Sequence, residues 1–260
     1  MSTKLCITTA LALGLALQSA PIHAAFIVGA NQSDVLVGAD DDNQNDPEIQ
    51  PAGVTANQGL NNADTLIGKR GDDVLIGMLG SDVLLGGLGD DILIGGIERA
   101  SQPNSDIQLG DAGNDTAIWQ GGDGSDLFDG GPGPRDALVF GTIDLVPDTN
   151  FPELSPVEGK HARTGIPTAN VSQQRGFCTL EAVAEPEDRG FEFLVRFFSK
   201  NSPNPLLVTV RVRDVEQVFC TAENTAAITF ADLTARKPDF VEVAPGAVRD
   251  LNADVALMIR

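Results

Sequence analysis

The stretch GKRGDDVLI-GMLGSDVLL-GGLGDDILI, running from Gly68 to Ile94, decides how this chain folds. It is three nine-residue units in a row, and each places glycine first and fourth, aspartate sixth and leucine eighth. A period this strict is a structural instruction rather than a bias of composition. Working backwards, Gly59 opens a looser unit, GLNNADTLI, and Gly29 opens GANQSDVLV. Working forwards, Gly95 begins a longer unit that carries Ser105 and Asp106. GDAGNDTAI then follows from Gly110 and GGDGSDLFD from Gly121. A final unit, GGPGPRDAL from Gly130, has its aspartate one place late, at Asp136.

Each position has a physical task. The turn glycines Gly68, Gly71, Gly77, Gly80, Gly86 and Gly89 supply positive φ and close backbone approach without a Cβ. Residues such as Val74, Leu75 and Ile76 form a short strand whose central leucine points to one side. Two units complete one coil, so residues 18 apart stack: Asp64 over Asp82, and Asp73 over Asp91. Neighbouring strands lie about 4.8 Å apart, and so would their edge carboxylates. Bare, each such pair repels by roughly 1 kcal/mol in a water-like dielectric and by more where water is excluded. A Ca²⁺ ion between successive turns reverses that sign. It accepts oxygen ligands in loose geometry, whereas the strict octahedron of Mg²⁺ suits carbonyl-rich turns poorly.

These units resemble the RTX (repeats-in-toxin) nonapeptide G-G-x-G-x-D-x-U-x, a calcium-binding β-helix repeat, over residues of about 29–140. The resemblance implies an all-β fold: a parallel β-roll with several Ca²⁺ ions in the turns along each edge. Carried over by position, it implies metal ligands at Asp64, Asp73, Asp82, Asp91, Asp115 and Asp126, with the turn glycines beside them. Asp106 joins this set beyond an insertion; Asp34 and Asp136 also sit where insertions or a slipped register surround them. Leu60, Lys69, Met78 and Asp111 replace the second glycine, and Gln108 falls where an inward leucine is expected. The middle of the roll is therefore expected to hold its ions well and the ends poorly. Asp72 and Asp90, in fifth position, are expected to point outward and to add field rather than bonds. The alternative, an acidic glycine-rich segment that stays disordered, becomes the expected state without calcium, because binding and folding are then one free energy.

Charge and composition narrow the partners. The 260 residues hold 37 acids against 17 bases, a net charge of −20, which excludes a phosphate backbone as partner. Of these, 20 acids and 4 bases lie between Gly29 and Phe140. With only two histidines, His23 and His161, most histidine-based zinc or triad chemistry is excluded.

Residues 1–24 read as a secretory signal peptide: Lys4, an apolar run from Leu5 to Leu17, and small residues with cleavage after Ala24 or Ala25. About 13 apolar residues are too few for a membrane span, which needs roughly 20. Export leaves Cys178 and Cys220, read either as a disulfide or as two buried thiols. The expected location is extracellular, with the periplasm or cell surface open.

Residues 141–170, with Pro147, Pro152, Pro156 and Pro167, read as a linker. Residues 171–260 read as a small, mostly antiparallel β capping domain, with strands at 177–183, 191–198, 206–212 and 227–230. Val215-Glu216 to Phe219 and Phe230-Ala231-Asp232 resemble a segment found after RTX repeats, whose role would be to cover the open end of the roll. Neither H-E-x-x-H nor G-x-S-x-G occurs. Ser125 belongs to a repeat turn, and Glu181, Glu185, Glu187 and Asp188 read as a solvated acidic loop. The reading is a secreted, non-enzymatic calcium-binding protein with no catalytic residues. The alternatives are a calcium-stabilised adhesin or matrix component gripping a surface polymer or protein, and a polysaccharide-acting enzyme using C-terminal carboxylates.

Overall fold

A computed structural model describes residues 26–33, 35–37, 63–78, 80–96, 105–121, 123–143, 169–171, 176–184, 190–200 and 206–259. The signal-peptide reading and the ligand expected at Asp34 lie outside them, as do most of the proposed linker and His161.

The repeats form strands wherever the period places its apolar triplets. These are β1 (Phe26–Val28), β2 (Val35–Val37), β3 (Thr65–Arg70), β4 (Val74–Met78), β5 (Val83–Leu88), β6 (Ile92–Gly96), β7 (Ile107–Ala112), β8 (Thr116–Trp119), β9 (Leu127–Asp129) and β10 (Ala137–Phe140). They alternate between two sheets, β1-β3-β5-β7-β9 in one and β2-β4-β6-β8-β10 in the other, every pair parallel. The architecture is all-β and has the parallel coiling of a β-roll. The 18-residue register holds where the units are regular, with Thr65 opposite Val83 and Val74 opposite Ile92. Across the longer unit the register becomes 24 residues, with Val83 opposite Ile107 and Ile92 opposite Thr116.

Period two decides what is buried. Leu66, Leu75, Leu84 and Leu93, all in eighth position, are fully buried between the sheets. Each contributes roughly 1.5–3 kcal/mol by leaving water. Their neighbours Val74, Ile76, Ile92 and Ile94 face the other way, into a second apolar layer outside the β4–β6 sheet.

Beyond Phe140 come β11 (Thr142–Ile143), β12 (Ala169–Asn170), β13 (Gly176–Ala182), β14 (Phe193–Ser199), β15 (Leu206–Arg213), β16 (Gln217–Thr221), β17 (Ile228–Asp232) and β18 (Val241–Val243). The antiparallel order β13-β14-β15 joins the first sheet through a parallel pairing of β15 with β9. Likewise β16-β17-β18 joins the second through β16 with β10. Strands β15 and β16 thus make one more coil, without the repeat motif, and the antiparallel hairpins grow from it edge to edge. Two short helices, α1 (Val248–Leu251) and α2 (Ala253–Met258), were not expected from the sequence. Their Val248, Val255 and Met258 fill the layer outside the second sheet.

Of the two readings for the cysteines, the structure has the disulfide: Cys178 on β13 is bonded to Cys220 on β16, tying one sheet to the other across the core. Beside it Phe197 lies 4.8 Å from Trp119 and 5.8 Å from Phe140, ring centre to ring centre.

Candidate metal centre

The sixth-position aspartates stand in two rows, one along each edge of the roll. On one edge the backbone N–H of Asp64 donates to Asp82 Oδ1 at 2.7 Å, Asp82 to Asp106 at 2.7 Å, and Asp106 to Asp126 at 2.9 Å. On the other, Asp73 donates to Asp91 at 2.7 Å, Asp91 to Asp115 at 2.8 Å, and Asp115 to Asp136 at 2.6 Å. One oxygen of each accepting carboxylate is therefore spent on the preceding coil. In Asp73, Asp82, Asp91, Asp106 and Asp115, Oδ2 is turned back over the first glycine of the same unit.

That glycine has no room for a side chain. A Cβ on Gly68 would lie 2.3 Å from Asp73 Oδ2 and 2.5 Å from the Gly86 carbonyl oxygen. On Gly77 it would meet Asp82 Oδ2 at 2.4 Å and the Gly95 oxygen at 2.5 Å; on Gly86, Asp91 Oδ2 at 2.3 Å and the Gly110 oxygen at 2.8 Å. Each cradle thus brings together a carboxylate oxygen and a carbonyl oxygen of the next coil. The first glycines are needed for this close approach. Positive φ is instead found at the fourth position, 111° at Gly71, 141° at Gly80 and 134° at Gly89, and at the second, 116° at Gly87 and 86° at Gly131.

The Oδ2 atoms of Asp82, Asp91, Asp115 and Asp136 are buried and accept no hydrogen bond. Orphaned anionic oxygens are costly, and the carboxyls respond by holding protons. Burial raises Asp82, Asp91 and Asp136 from 3.8 to about 7 and Asp115 to about 8, with neighbouring carboxylates adding to the effect. Asp126, also buried, rises to about 6. A hard cation fits this donor set: oxygens only, carboxylate beside carbonyl, short of positive charge.

All seven aspartates expected as ligands fall in these rows, with Asp136 an eighth member. The expectation that Asp72 and Asp90 add field rather than bonds is corrected. They are exposed, yet Asp72 Oδ1 accepts the Asp90 N–H at 3.0 Å, and Asp90 Oδ1 accepts the Asn114 N–H at 2.8 Å. Ser33 Oγ serves Asp72 in the same way, and Ser81 Oγ serves Ser105. Short polar side chains cap neighbouring backbone readily, and here the fifth position binds forward while the sixth binds backward.

Two positions that join these rows were not legible in the repeat. Glu216 Oε2 accepts the Asp136 N–H at 2.7 Å, so the non-repeat coil continues the row with a glutamate. Burial and the nearby Asp214 raise its carboxyl. Recognising residues 206–221 as another coil would have found it. Asp123, in third position of its unit, offers a carboxylate oxygen to a group with Asp106 and Asp126 in which all three lie within 4.8 Å of one another.

Among the described residues no helix is long and apolar enough to cross a membrane. No curated protein and no solved structure matches the chain. Residues 58–93 match the family model of the RTX calcium-binding nonapeptide repeat, in four copies.

Proposed function

We propose that this is a secreted protein whose roll folds as it binds a row of Ca²⁺ ions along each edge, and that it acts through this structure rather than by catalysis. The ions would be held by Asp64, Asp82, Asp106 and Asp126 on one edge and by Asp73, Asp91, Asp115 and Asp136 on the other, with glycine carbonyls of the turns. Bound there, Ca²⁺ supplies positive charge to buried oxygens such as Oδ2 of Asp82, Asp91, Asp115 and Asp136, which accept no hydrogen bond. The observation that carries the reading is the recurring cradle in which a buried carboxylate oxygen meets the next coil's carbonyl. The inter-sheet disulfide supports an oxidising destination. There, free calcium is available to condense a chain that is acidic and extended before export.

Circular dichroism with and without chelator tests this. Parallel strand signal should appear with Ca²⁺ and be lost in EDTA. A spectrum that ignores the chelator would overturn the proposal.

A further inference from the structure

The rung at Asp106 differs from the others in what surrounds it. Over Gly68, Gly77, Gly86 and Gly110 the carboxylate is joined by a glycine carbonyl oxygen. Over Gly95 the position of a Cβ is 2.1 Å from Asp106 Oδ2 and 3.0 Å from the side-chain amide nitrogen of Gln108. Gln108 occupies an inward position opposite Leu84 and Phe128, is 3% exposed, and its Oε1 has no hydrogen-bond partner. A polar amide at an apolar position, with a buried orphan oxygen, is unexplained by packing. A half-turn of that amide presents the oxygen to the space the carboxylate already faces.

Asp123 supplies the third carboxylate. Its Oδ1 accepts the Gly124 N–H at 3.0 Å and its own N–H donates to the Gln120 carbonyl at 3.0 Å, which fixes it inside the turn. Asp106, Asp123 and Asp126 are 1%, 3% and 2% exposed. Three oxygens within 4.8 Å of one another lie within about 2.8 Å of a common point, so small side-chain rotations bring all three to the calcium–oxygen distance of about 2.3–2.6 Å.

We infer that the last repeat rung, Asp106 with Asp126, recruits Asp123 and the Gln108 amide into a cation site of its own kind, tighter than the other rungs and preferring high charge. This rests on the calcium-binding reading above and adds to it a ligand, Asp123, outside the repeat pattern. Three carboxylates leave a divalent ion over-neutralised and balance a trivalent one. The site also sits at the junction with the non-repeat coil, where the Arg211 N–H donates to the Asp126 carbonyl and the Thr209 N–H to Ser125 Oγ. Filling it first would fasten that coil before the remaining rungs close.

Trp119, the single tryptophan, reports on it directly, because its indole N–H donates to the Gly124 carbonyl between the two aspartates at 3.0 Å. The full chain is titrated with Tb³⁺ while tryptophan-sensitised terbium emission and circular dichroism are followed together. Emission should saturate at the first equivalent, ahead of the bulk folding change. Asp123→Asn should move the emission midpoint to higher metal by about tenfold or more, while the Ca²⁺-dependent folding signal persists. Gln108→Leu, which restores the apolar row and safeguards folding, should move it in the same direction. If both variants titrate like the parent, or emission rises only with the bulk change, the distinctive site is refuted although calcium-dependent folding stands. If the parent itself shows no metal response, the functional proposal fails instead.

Discussion

Asp91 shows how much one side chain is asked to do. Its Oδ1 holds the Asp73 N–H, its Oδ2 is buried over Gly86, and burial raises its carboxyl to about 7. Asp91→Asn separates these tasks, since an amide oxygen still accepts the N–H but brings no charge. We expect the calcium-free chain to be no less stable, and calcium affinity at that edge to fall by roughly tenfold or more, read by calorimetric titration. Lys69 and Asp111 test a different property. They take φ of 87° and 67°, where the equivalent Gly87 and Gly131 have 116° and 86°. Lys69→Gly should therefore stabilise the folded state by about 1 kcal/mol, measured by denaturant midpoint in saturating calcium. The requirement at both positions was legible as a departure from the repeat. The fifth-position bonds of Asp72 and Asp90 were not, because sequence spacing shows that two residues stack but not which backbone groups their side chains reach.

The strands were the most legible elements, since a fixed leucine every nine residues leaves one face no alternative to burial. Leu84→Ala should cost about 2–5 kcal/mol, seen as a higher calcium requirement for folding. The C-terminal strands were also readable, from alternation in segments such as Leu206–Arg213. What alternation could not reveal is that β15 and β16 pair in parallel with the last repeat strands. That depends on residues 84 and 80 positions apart, Arg211 with Leu127 and Gln217 with Ala137. Helices α1 and α2 span four and six residues, too short for a periodic signal. Their clearest local mark is Asn252, whose side chain accepts the N–H groups of Asp254 and Val255. The Cys178–Cys220 bond spans 42 residues and fastens the hairpins across the sheets. Reducing it should cost about 2–5 kcal/mol and lower the melting temperature in saturating calcium, compared in matched reduced and oxidised samples.

For the whole molecule, protons and calcium compete for the same oxygens. Carboxyls raised from 3.8 to about 7 or 8 favour the folded state while protonated. That stabilisation is complete below the unfolded value, declines as pH rises from 3.8, and is gone above about 8. In chelator the roll should therefore be more ordered at about pH 5 than at about pH 8. With metal the order reverses, because only the ionised carboxylate binds it, so the calcium midpoint should climb as pH falls through about 7. Parallel titrations at several pH values read both effects.

Because consecutive strands belong alternately to opposite walls, the protein can change length only by whole laps. Excising 77–94, a full lap, leaves every later segment on its own wall and should yield a shorter molecule that still closes against its C-terminal end. Excising 77–85, half a lap, removes fewer residues yet moves β6, β8 and β10 to the wall of β3, away from Val74 and Ile76, with which Ile92 and Ile94 share the outer apolar layer. The smaller cut should thus be the more damaging, seen as the lower melting temperature of the two in saturating calcium.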